Sequence, residues 1–178
     1  MYDAADAVLE DHEGGVALRF ERELAHPPER VWKALTERAE LSAWHPTPFE
    51  LEPRPGGAVK FASGAGLPAI ANGEVLDFDP PRLLAYTWFE DRLRWELRAL
   101  GDGCLLVLTH SFADRFKAAR DGAGWHVCLW WLSRQLDGAP SGRGDDVDGL
   151  PRGWRELNEE YLGRFDIPPE KATPPPSG

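Results

Sequence analysis

Apolar and polar residues alternate along Val16-Ala17-Leu18-Arg19-Phe20-Glu21-Arg22-Glu23-Leu24. Val16, Leu18 and Phe20 share one face, and Ala17, Arg19, Glu21 and Glu23 the other, which predicts a half-buried strand. Pro27 and Pro28 stop it, and proline suits the first turn of a helix, where its missing N–H leaves nothing unpaired. Val31, Trp32 and Leu35, then Leu41 and Trp44, follow at helical spacing and predict two short helices, with Thr36 a candidate cap for the second. His45-Pro46-Thr47-Pro48 ends this helical entry, because both prolines resist its continuation.

Strand-like segments follow at 49–52, 58–62, 70–78, 83–90, 93–100 and 104–112, separated by turn residues such as Pro53 to Gly57 and Gly101-Asp102-Gly103. Short turns between consecutive strands predict an antiparallel meander. The loop from Ser63 to Pro68 is glycine-rich but lacks the spacing of a phosphate-binding loop, and reads as a hairpin connection. From Gly124 the period lengthens. Trp125, Cys128, Leu129, Leu132 and Leu136 make an apolar stripe on a helix over about 124–137, with Gly138 as its stop. Trp130 and Trp131 widen that stripe beyond what one packed face needs. Residues 138–151 read as loop, whose Arg143-Gly144-Asp145 triplet reads as chance. Trp154, Leu157, Tyr161, Leu162 and Phe165 predict a terminal helix over about 153–165. Residues 1–14 read as a flexible acidic lead-in, 15–166 as one domain and 167–178 as a disordered tail. The class is α+β: a curved antiparallel sheet of six to seven strands around the long late helix, with two short helices after the first strand.

The chain has 178 residues, enough for one domain with a sizeable core. Its net charge of −10 and scattered cations argue against a nucleic-acid partner. No apolar run approaches the ~20 residues that span a bilayer, and the acidic start is unlike a signal peptide, so a cytoplasmic location and no membrane insertion are expected. Cys104 and Cys128 both fall in apolar patterns and are expected to remain free thiols. Eight tryptophans are many for this length and are suited to line, or to fill, a concave site.

The ordered segments Pro27-Pro28-Glu29-Arg30-Val31-Trp32-Lys33-Ala34-Leu35-Thr36, Trp44, Gly73 to Leu83, Tyr86-Thr87-Trp88, Leu106 to His110 and Gly124-Trp125 resemble the activator-of-Hsp90-ATPase-like branch of the START/Bet v 1 helix-grip superfamily. The resemblance covers about residues 15–138. It implies a sheet gripping a long helix. It implies less about function, because similar proteins include lipid carriers, hormone receptors, polyketide cyclases and co-chaperone domains.

Alternation assigns inward faces. Tyr86 and Trp88 share one, Trp95 and Leu97 the next, and Leu108 and His110 the last. With Trp44, Phe61, Trp125, Leu129 and Leu132 they are the candidate wall of an interior pocket of a few hundred Å³ or more. His110 stands on an otherwise apolar face and needs a partner. It reads either as a satisfied core histidine or as an anchor or general base for a ligand. Glu74 is a second candidate acid/base if its side of the strand faces inward, and a solvated carboxylate if it does not. His45, His110 and His126 show no metal-ligand spacing, and no cofactor or metal is expected. The leading expectation is a protein that binds an apolar or aromatic small molecule between sheet and helix. An aromatase/cyclase-like or hydrolase-like enzyme using His110 or Glu74 is the alternative from another class. A co-chaperone-like interaction module, with a protein partner or a homodimer, is the third.

Overall fold

In a computed structural model the described residues are 7–62, 72–139 and 153–174. The expected loop at 63–68, the start of a strand at Ile70, residues 140–152 with their Arg-Gly-Asp triplet, and the last four residues lie outside them. Among the described residues eight strands form one antiparallel sheet in the order β1-β2-β8-β7-β6-β5-β4-β3. The strands are β1 (Val8–His12), β2 (Gly15–Leu24), β3 (Phe49–Leu51), β4 (Ala58–Phe61), β5 (Asn72–Asp79), β6 (Leu83–Trp88), β7 (Asp91–Leu100) and β8 (Gly103–Phe112). The helices are α1 (Pro28–Thr36), α2 (Arg38–Leu41), α3 (Ala118–Leu136) and α4 (Trp154–Arg164).

The strand beyond the expected six to seven is β1, in what reads as a loose lead-in. It pairs with β2 through a hairpin that turns at Gly14, whose φ of +90° suits glycine. Its pattern hides the strand because an edge strand needs little burial. Val8 is exposed, and Leu9 packs only partly against the core. The tail also departs from expectation. Ile167 is buried, the Thr173 N–H donates to the Phe116 carbonyl at 3.1 Å, and Ala172 packs against the core, so the described part of this proline-rich stretch is docked.

α1 begins on Pro28 and buries Val31, Ala34 and Leu35. Thr36 does not cap α2. Its hydroxyl turns back to the Trp32 carbonyl at 2.8 Å, and Glu37 stands at the cap position without a side-chain bond. α3 starts at Ala118, earlier than the apolar spacing indicates, because Arg120, Asp121 and two glycines mask the first turns. The glycine at 122 has a packing reason: a Cβ there would lie 3.3 Å from Cδ2 of Tyr161 on α4. α3 is thus covered on two sides, by the sheet and by α4. This accounts for a stripe widened by Trp130 and Trp131, both buried. None of the helices among the described residues is long and apolar enough to cross a membrane.

Candidate functional site

β6, β7, the segment after α2 and α3 bring together an aromatic cluster where an open interior was expected. Trp44, Tyr86, Trp95 and Trp125 are each at most 2% exposed. The Trp125 ring meets Trp95 at 5.6 Å, Trp88 at 5.5 Å and His45 at 5.5 Å between centroids, and Trp44 meets Trp95 at 5.6 Å. Leu97, Leu108, Leu129 and Leu132 belong to the same buried core. Side chains therefore occupy the space between this part of the sheet and α3. Alternation gives the direction of each residue but not how far neighbouring rings fill the volume between elements.

Two buried histidines sit in that cluster. His110 is fully buried on β8. Its Nε2 lies 2.9 Å from Asp91 Oδ2, and its Nδ1 accepts from Trp125 Nε1 at 3.0 Å. An indole N–H can only donate, so the His110 proton sits on Nε2 and points to Asp91. Asp91 Oδ2 also accepts from Lys117 Nζ at 2.7 Å. Burial raises the Asp91 carboxyl, but hydrogen bonds from His110 and Lys117 outweigh it and hold the group below its ordinary range. The sequence carried a signal for this partner. His110 pairs across the ladder with Leu93, so Asp91, two residues away, lies diagonally on the same face.

His45, in the proline-flanked segment after α2, is fully buried. Its Nδ1 is 2.9 Å from the Thr47 carbonyl and 3.1 Å from the Thr47 N–H, and its Nε2 is 3.1 Å from the Tyr86 hydroxyl. Burial pushes that hydroxyl well above the usual phenol range, against a smaller opposite pull from a Trp95 hydrogen bond. Trp88 Nε1 donates to Thr47 Oγ1 at 2.7 Å.

Glu74 is exposed, which removes it from the acid/base candidates. The neighbouring Val75 is the buried residue, and the pairing of β5 with β6 shifts register between Val75 and Asp77, so simple alternation fails along β5. Phe61 is half-buried and stacks on the exposed Phe89 at 5.6 Å.

Beside the cluster a partly enclosed cleft of about 130 Å³ remains, lined by Pro46, Trp88, Arg120, Asp121, Gly124, Trp125, Cys128 and Trp154. Of the sequence-derived wall only Trp88 and Trp125 line it. Trp154 comes from α4, and Arg120 and Asp121 from turns of α3 that the apolar spacing does not reveal. Larger hollows of about 420 Å³ beside Arg115 and Arg164, and about 510 Å³ around His12, Glu90 and Arg92, lie at strand ends and lack this aromatic enclosure.

Asp91, His110 and Asp121 are spaced as metal ligands could be, within 4.8 Å of one another. The Lys117 ammonium lies 2.7 Å from Asp91 and 4.0 Å from Asp121, and so already supplies the positive charge these carboxylates need.

Residues 25–137 match the family described as activator of Hsp90 ATPase homolog 1-like protein. No curated protein matches the chain. Among solved structures it is similar to a conserved protein of unknown function, EF2215 from Enterococcus faecalis (21% identity, 90% of each chain, TM-score 0.70). It is likewise similar to CalU16 from Micromonospora echinospora (21% identity, 92% of this chain and 99% of that one, TM-score 0.70). MLL2253 from Mesorhizobium loti is 25% identical over 70% of this chain and 98% of its own, at a TM-score of 0.61. These neighbours share the helix-grip fold.

Proposed function

The chain belongs to the activator of Hsp90 ATPase homolog 1-like family, and on that footing we propose that it is a small-molecule binding protein whose site is the cleft walled by Trp88, Trp125 and Trp154. The observation that carries the reading is the cleft itself: about 130 Å³ bounded by indoles from three separate elements. An apolar cavity of about 150 Å³ admits benzene, so the space suits a single-ring ligand. Burying about 150 Å² of apolar ligand surface at ~25 cal/mol per Å² gives ~4 kcal/mol. That corresponds to an affinity near the millimolar range.

The acid/base alternative has less support. His110 does not line the cleft, both its ring nitrogens are engaged, and Glu74 faces solvent. The filled interior also fits an interaction module. The large exposed apolar residues Val8, Leu76, Phe89, Leu100 and Phe116, however, stand on different elements or turns. Cys128 lines the cleft and Cys104 is buried, so thiol labelling reports on the site. Single-ring aromatics at millimolar concentration are expected to slow Cys128 labelling several-fold in the wild type and not in Trp154→Ala. Unchanged labelling across a panel of such compounds sinks the proposal.

A further inference from the structure

This inference rests on the cleft being the ligand site: we propose that its ligand is a small aromatic acid, with the ring among Trp88, Trp125 and Trp154 and the carboxylate on Arg120. The hydrogen-bonding state of the walls points there. Trp88 directs its indole N–H to Thr47 at 2.7 Å and Trp125 directs its own to His110 at 3.0 Å. These two indoles therefore offer only their rings.

The acidic side chain on the wall already has partners. Asp121 Oδ1 accepts from Arg120 Nε at 2.7 Å, and its Oδ2 lies 4.0 Å from the Lys117 ammonium. Donors remain. Among the described residues, the terminal guanidinium nitrogens of Arg120 and the Trp154 indole N–H have no side-chain or backbone partner. A cleft with engaged side-chain acceptors and available donors fits a ligand that brings acceptor oxygens.

Carboxylate is the match for guanidinium, since two coplanar oxygens meet two parallel N–H groups. The Nε contact to Asp121 also holds the guanidinium plane in place before a ligand arrives. An amine would meet the Arg120 and Trp154 donors, and its one carboxylate partner on the wall, Asp121, is already ion-paired to Arg120 and Lys117. The Arg120 side chain is 25% exposed, so solvent weakens the ion pair. Ring burial supplies most of the affinity, and the carboxylate adds selectivity of about tenfold. The cleft volume of about 130 Å³ limits the ligand to one ring.

The experiment titrates the full chain with benzoate, benzyl alcohol and benzylamine, three probes of one shape and different charge. The Trp125 and Trp154 indole N–H resonances report binding. Benzoate is expected to bind about tenfold more tightly than benzyl alcohol, and Arg120→Gln to bring the two level while leaving benzyl alcohol unchanged. Trp154→Phe keeps a ring but removes a donor, and is expected to weaken benzoate alone, by about threefold. This second variant decides the matter should Arg120→Gln fail to fold. Equal affinity for benzoate and benzyl alcohol, a preference for benzylamine, or benzoate binding untouched by both variants overturns the acid and leaves the cleft standing. Indole signals that no probe moves overturn the cleft reading and the acid with it.

Discussion

Trp125 has a buried histidine on either side, and the two are held by different chemistry. On one side His45 bonds to the backbone of Thr47 and to the Tyr86 hydroxyl, all uncharged groups. On the other, His110 bonds to Asp91, which bonds to Lys117, which stands 4.0 Å from Asp121 at the cleft. On the His45 side these bonds contribute through packing and satisfied polar groups. The His110 side is a charged chain running from the core to partly exposed groups. This second chain offers a path by which a change of pH or salt reaches the region around the cleft.

Trp125 belongs to both sides, so truncating it tests whether they form one unit. Trp125→Ala is expected to cost about 3–5 kcal/mol. A urea midpoint near that of the wild type would mean the rings repack without it.

Asp91→Asn separates the two sides. Loss of the charge-assisted bonds to His110 and Lys117 is expected to cost about 1–3 kcal/mol at neutral pH. The Asp91 carboxyl titrates below its ordinary value of 3.8 in the folded protein. Its contribution is therefore full above that value and disappears as pH falls through the lower folded value. Stability measured from neutral to strongly acid pH should show the wild-type advantage over Asp91→Asn shrinking at the acid end. Parallel curves would break the contrast between the charged and neutral networks.

Glu74→Gln touches neither side, and is expected to change stability by less than about 0.5 kcal/mol. A larger loss would assign Glu74 a role that its exposure denies.

Much of the fold was legible because its signals are local. Alternation marked β2, β7 and β8, prolines marked the entry to α1, and Gly101-Asp102-Gly103 marked the β7–β8 turn. β1 escaped because an edge strand with one partner needs little hydrophobic content. The first turns of α3 escaped because Arg120 and Asp121 face the cleft and Gly122 faces Tyr161, so none of them adds to an apolar stripe. The site was legible in part. Trp88 and Trp125 follow from strand and helix periodicity, but Trp154 reaches the cleft from α4, and no periodicity reports which helix covers which. His110 announced that it needed a partner, and the strand register supplies Asp91.

The seam between β2 and β8 has a kinetic consequence. β2 pairs with β8 from Val16↔Phe112 to Leu24↔Cys104, so one ladder joins the start of the domain to residues beyond seven later-made elements. Closing so long a loop is entropically slow, and α3, synthesised last of the three, has no complete surface to dock on until that ladder zips. The meander from β5 to β8 forms from near neighbours and is expected to assemble early. The N-terminal hairpin then arrives as the rate-setting event, and a destabilising change in β2 should slow refolding more than one in α4.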